Sequence, residues 1–283
     1  MAKGRTPISI GFDATNFLSN LTSHTDLTEP VTPESVLNVV FLPSTVSPNS
    51  LTEDTVIVVD VLRATTTIIS ALANGASKVL PQPSIEAARE VYAGTNGGAL
   101  LGGERQGQIV DGFTNGNSPV EYTSDVVSGK TLILATTNGT VAMEHCKQAK
   151  QILIGAMVNV QAVAEAVLHE PRVTVMCSGT DRIITSEDIL FAGVMIDRIC
   201  SLRKAAGIDP GKVTDTAMIA TNHWQQTKAE VENGKPLADF FRNARGGINL
   251  VRIGLDHDIV FASQIDSLPH VPKLCQESWS IKL

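Results

Sequence analysis

The sequence predicts an α/β fold: a mostly parallel or mixed sheet flanked by helices in three layers, made of two α/β halves with a helical C-terminal region. Short apolar, β-branched runs recur from residue 39 onward, and each is followed by a polar turn and a helical pattern, the rhythm of βαβ units. The run TVIVV at residues 55–59 has no polar interruption, which suits a strand buried on both faces, as in a parallel sheet. A chain of 283 residues that is 43% hydrophobic and 18% charged can bury a substantial core.

Residues 1–36 are rich in Thr, Ser, Asn and Pro and read as a variable N-terminal extension, with ISIGF at residues 8–12 as an edge-strand candidate. From residue 39, VVFL predicts a strand, residues 55–59 a second, and TTTIISALANG a helix ending at Gly75. KVL at 78–80 and the helix SIEAAREVYAG from Ser84 follow, then GALLG near Leu100 and TLILA at 131–135. A helix from Asn138, QILIG at 151–155, a helix from Asn159 and RVTVMC at 172–177 continue the alternation. Beyond this the rhythm changes. One long helix is expected over residues 187–206, and 210–255 reads as further helix broken at Gly234 and Pro236. The expected division is 37–155 for a first half carrying most of the site and 156–283 for a second half with the helical region.

Charge and composition exclude several classes. A net charge of −7 with two Trp and two Tyr argues against a nucleic-acid surface, which needs clustered cations and stacking aromatics. No apolar run approaches the ~20 residues that span a bilayer, and the N-terminus MAKGRTPISIG has no secretory h-region. Cys146, Cys177, Cys200 and Cys275 form no CxxC pair and read as free thiols in a reducing, cytoplasmic setting. The partner expected is a small anionic phosphorylated molecule, without nucleic acid or membrane; the sequence is compatible with a homo-oligomer.

Four expected strands end in related chemistry. One leads to Asp60 and Arg63, one through GG to Glu104 and Arg105, one to TTNGT at 136–140, and one to CSGT at 177–180. If these strands are parallel, all four clusters share one sheet edge, where ligands gather in open α/β sheets. Asp60 and Glu104 are hard oxygen ligands of the kind Mg²⁺ accepts. Arg63 and Arg105 can fork onto an oxyanion. Asn138, Gly139 and Thr140 at a helix start, with Thr137 before them and Ser178 and Gly179 on the neighbouring loop, offer phosphate-binding groups. Taken singly, each has a plainer explanation: helix capping for TTNGT and Asp60, a surface ion pair for Asp60 with Arg63, an exposed glycine loop for GGERQG. Repetition of one theme at successive strand ends favours a site. Known phosphatase signatures are not met. The haloacid dehalogenase-like DxD requires a second acid where Leu62 stands, and a CxxxxxR loop from Cys177 requires arginine where Ile183 stands. Walker and GxGxxG loops are absent.

DVLRATTTIISALANGA from Asp60, GGERQG from Gly102, GFTNGNSP from Gly112, TTNGT from Thr136 and SEDILFAG from Ser186 together resemble the 2-phosphosulfolactate phosphatase family over about residues 38–273. The resemblance implies a Mg²⁺-dependent phosphatase that converts 2-phospho-3-sulfolactate to 3-sulfolactate, a step toward coenzyme M. It implies Asp60, Arg63 and Glu104 as catalytic groups, and Asp60, Glu104 and Glu187 or Asp188 around the metal. Arg63, Thr65, Thr66, Asn138, Gly139 and Thr140 would surround phosphate, Asn117 and Ser118 would contact substrate, and Arg105 would meet the sulfonate or carboxylate. Metal-assisted attack by water and an aspartyl phosphate on Asp60 are both open. So are a phosphatase acting on another small phosphorylated carboxylic acid and a non-catalytic phosphate-binding protein.

Overall fold

The computed structural model describes residues 34–283, which form one compact unit. The expected N-terminal extension, apart from its last three residues, and its edge strand at residues 8–12 lie outside the described residues. Strand β1 (Val36–Val40) precedes β2 (Thr55–Val59), whose five residues are all buried. Helix α1 (Ala64–Ala73), β3 (Lys78–Gln82), α2 (Ile85–Ala93), β4 (Ala99–Arg105) and the two-residue β5 (Gln108–Ile109) come next. Then follow α3 (Ser124–Val127), β6 (Thr131–Ala135), α4 (Gly139–His145), β7 (Gln151–Gly155), α5 (Val160–Ala166) and β8 (Arg172–Cys177). The helical region contains α6 (Ser186–Ala205), the short β9 (Lys212–Val213), α7 (Asp215–Glu232), α8 (Leu237–Asn243), α9 (Arg245–Arg252) and α10 (Asp256–Ala262). A final hairpin is made of β10 (Lys273–Cys275) and β11 (Ser280–Lys282).

All eleven strands belong to one open mixed sheet in the order β5-β4-β6-β3-β11-β10-β7-β2-β8-β1-β9. The sheet therefore runs across the expected boundary at residue 155, since β2 of the first half pairs in parallel with both β7 and β8. Period-two alternation sends the two faces of each central strand into different layers. Ile57, Val59, Leu153 and Val175 face α5, α6 and α7, where Phe191, Ile196, Ala220 and Trp224 close the layer. Val56, Val58, Ile152 and Ile154 face the opposite layer with Ile68, Ile69 and Leu72 of α1 and Met143 of α4.

The sequence reading missed the hairpin, and with it a feature of the sheet's polarity. Strands β7, β2, β8 and β1 are mutually parallel, as are β4, β6 and β3. However, β10 pairs antiparallel with β7 and β11 antiparallel with β3, so the two parallel sets run in opposite senses. The assumption that all four site-bearing strands are parallel is corrected accordingly. Their ends still meet in one cleft, which Asp60, Glu104, Thr137 and Asp181 all line.

Candidate active site

The turn after β2 supplies the centre of the site. Asp60 and Arg63 are 6% and 4% exposed, and both line a cleft of about 1000 Å³. The Asp60 carboxylate accepts the Ala64 amide at 3.3 Å. The suggested Asp60–Arg63 ion pair does not form. Arg63 instead donates from Nη1 to Asp258 Oδ2 at 2.6 Å and from Nη2 to the Gly107 carbonyl at 2.7 Å.

The threonines following Arg63 hold the start of α1. Thr65 Oγ1 donates to the Asp60 carbonyl at 2.9 Å and accepts the Asp60 amide at 3.0 Å. Thr66 donates to the Val61 carbonyl and Thr67 to that of Asn117, each at 2.8 Å. Thr65 and Thr66 are fully buried, and their hydroxyls are taken up by backbone groups of the turn, as a β-branched hydroxyl in a first helical turn is well placed to do.

Three further carboxyl groups neighbour Asp60. Asp188 on α6 accepts the Val61 amide on Oδ1 and the Gly179 amide on Oδ2, each at 2.9 Å, and so clasps the ends of β2 and β8. Glu187 beside it is 1% exposed, and its Oε2 has no hydrogen-bond partner. Gly246 of α9 covers it so closely that a Cβ there would lie 2.8 Å from Oε1. Burial, reinforced by neighbouring negative charge, holds the Asp60, Glu187 and Asp188 carboxyls well above the usual range. Glu104 completes the group from β4, accepting the Gly107 amide at 2.6 Å and the Thr137 hydroxyl at 2.9 Å. Among the described residues no three His, Cys, Asp or Glu side chains converge into a full protein cage for a cation. Mg²⁺ does not need one, because it commonly takes one or two carboxylates and completes its shell with water and substrate oxygens. Asp60 in the cleft wall and the unpartnered Glu187 oxygen fit that demand; Asp188, with a backbone amide on each oxygen, is primarily a clasp.

The remaining expected residues divide into cleft-lining groups and supports. Thr137, Asn138, Arg105 and Asn117 line the cleft, and Asn117 Oδ1 is buried without a partner. Asn138 also accepts the Asp181 amide at 3.1 Å, joining the loop after β8 to the start of α4. Ser118 is buried, and its hydroxyl donates to Asp258 Oδ1 at 2.5 Å. Ser178 donates to the Val59 carbonyl at 2.7 Å and the Gly179 amide is taken by Asp188, so these two join strand ends. Thr140 donates to the Thr136 carbonyl at 2.5 Å. Gly139 directs its amide to the Asp60 carboxylate, so the cradle expected of Gly139 and Thr140 serves that acid and the turn before α4.

The second wall was missed by the sequence reading. Arg245, Asn249 and Arg252 on α9 line the cleft, and their i, i+4, i+7 spacing, legible in RGGINLVR, places them on one helical face. Arg245 pairs with Asp181 at 3.1 Å, but both side chains are about half exposed or more, so the pair holds the arginine weakly. Asp258, buried and facing Arg63, was also missed, because nothing in its local sequence distinguishes it from an acid in a first helical turn.

The family model described as 2-phosphosulpholactate phosphatase matches residues 40–277. A Clostridium novyi protein named "Probable 2-phosphosulfolactate phosphatase" is 34% identical over 238 residues, covering 84% of this chain and 96% of its own length. A Thermotoga maritima protein of the same name is 35% identical over 228 residues, covering 81% and 92%. A third from Caldanaerobacter subterraneus subsp. tengcongensis, also so named, is 34% identical over 233 residues, covering 82% and 92%. The chain, with its acid pocket facing a wall of arginines, belongs to the 2-phosphosulfolactate phosphatase family.

Proposed function

We propose that this protein hydrolyses the phosphate monoester of 2-phospho-3-sulfolactate, giving 3-sulfolactate and inorganic phosphate, with Mg²⁺ as cofactor, as a cytoplasmic step toward coenzyme M. The observation that carries the reading is one cleft in which a buried acid cluster around Asp60 faces Arg63, Arg105, Arg245 and Arg252. A phosphate, a sulfonate and a carboxylate on one small molecule need that distribution: cations for three anionic groups, and hard oxygen ligands for a metal at the phosphate alone.

Asp60 and Glu187 would hold Mg²⁺. When bound, the cation supplies charge neutralisation at the phosphoryl oxygens. Arg63, fixed on two sides, presents its remaining N–H groups to the phosphoryl group, whose transition state concentrates charge on peripheral oxygens. Asn117, which also lines the cleft, offers its amide. Arg105 and the α9 arginines bind the acid groups and orient the substrate.

Phosphate release from synthetic 2-phosphosulfolactate, measured with Mg²⁺ and with chelator, tests the reading. Activity is expected only with the metal, and Asp60→Asn should lower it by roughly 10²-fold or more. Release from a different phosphorylated carboxylic acid alone would keep the chemistry and replace the substrate. No release from any phosphorylated acid would leave a binding protein and overturn the proposal.

A further inference from the structure

We infer that Asp258 is a positioning residue for Arg63, delivered to the site by the C-terminal helical region. It holds the guanidinium as an anion-binding fork and keeps it off the neighbouring acids. The inference rests on the phosphatase reading for its kinetics and on the geometry for its origin.

Arg63 lies three residues after Asp60 and on the same cleft wall as Glu104. Left alone, a mobile guanidinium beside two such acids would pair with one of them. It is instead held on Nη1 by Asp258 at 2.6 Å and on Nη2 by the Gly107 carbonyl at 2.7 Å. Gly107 is anchored in turn by its amide on Glu104 at 2.6 Å. Asp258 is itself fixed, with no solvent exposure, by the Ser118 hydroxyl at 2.5 Å, and His257 Nε2 lies 3.3 Å from the same oxygen. Four segments, the β2–α1 turn, the β4–β5 loop, the GNSP loop and α10, thus converge on a single arginine. A buried acid in a helix start is costly unless paired. Here the charge pairs with an arginine 195 positions away in a wall of the cleft. Core stability alone would be served as well by an apolar side chain, so placement of the arginine is what this acid provides.

Kinetics of Asp258→Asn, Arg63→Ala and the double variant test this. Asp258→Asn keeps size and the contact from Ser118 while losing the charge. It is expected to lower kcat at least tenfold with KM changed by less than about threefold, and to have no further effect in the Arg63→Ala background, because residues acting as a unit are non-additive. Added guanidinium ion should restore part of the activity of Arg63→Ala, and should not do so in the double variant. If Asp258→Asn fails to fold, Ser118→Ala provides the same reading, with a several-fold loss of kcat that disappears without Arg63. Additive losses, or guanidinium rescue that does not depend on Asp258, would overturn the inference. If the wild-type protein releases no phosphate from any acid, the proposed function fails separately. The same cycle is then read in calorimetric titration with inorganic phosphate, where any loss of affinity in the single variants should stay within about threefold, matching the KM expectation, and should not add in the double.

Discussion

Gly139 shows how little space the site leaves at single residues. A Cβ there would sit 2.7 Å from that of Ala64 and 3.0 Å from Asp60 Oδ2, so Gly139→Ala forces apart the two turns that define the acid pocket. Helix propensity would favour alanine by up to about 1 kcal/mol, but overpacking of this kind costs about 1–3 kcal/mol. A lowered Tm together with lost phosphate release is the expected outcome. The acids themselves set a pH dependence. Asp60 is raised to about 8 by burial and by the charges of Asp188 and Glu104, so without metal the folded state binds protons more tightly than the unfolded chain. Its contribution to stability is present below the ordinary carboxylate range near pH 4 and is lost as pH rises toward 8. In chelator, the Tm of the wild-type protein should rise as pH falls from 8 to 6. Asp60→Asn should melt about 3 °C or more above it at pH 8, with the gap closing at the lower pH. A melt of Asp60→Asn at or below wild type at pH 8 would contradict this.

At the scale of elements, legibility followed the length of the apolar pattern. TLILA, QILIG and RVTVMC were expected as strands and are strands at those residues, because four or five consecutive buried positions leave a long signal. The hairpin β10–β11 left almost none. Each strand has three residues, and within them the deeply buried apolar side chains are Leu274 and Ile281. Its strand character comes from β3 and β7, which supply the pairing edges. The same division applies to the site. Asp60, Glu104 and Asn138 line the cleft where a strand end announces them, whereas Asp258 is defined by its partner across space, and the backbone partners of the Thr65 and Thr66 hydroxyls are displayed by no sequence. Ile281, fully buried between the two parallel sets, should be among the costliest positions to truncate. Ile281→Ala is expected to lose about 2–5 kcal/mol, measured by urea unfolding, far more than a residue near a fraying terminus would.

At the scale of the whole molecule, a chain of net charge −7 turns four arginines into one cleft. A substrate carrying phosphate, sulfonate and carboxylate is repelled by the general field and drawn in only locally, so its capture should depend on salt. Raising ionic strength from about 0.05 to 0.3 M shortens the screening length to well under 10 Å. The expected result is a KM that rises several-fold while kcat, set inside the buried pocket, changes little. The central position of β10 and β11 has a consequence for the order of events during synthesis. The strands of both parallel sets are complete by Cys177, apart from the edge strand β9, yet the two sets have no shared hydrogen-bonded neighbour until Lys282 has been made. At about 5–20 residues per second, the roughly one hundred intervening residues hold the nascent chain for several seconds or more as two sheets with exposed inner edges. Chaperone demand should therefore concentrate in that interval, and the cleft can assemble only after it.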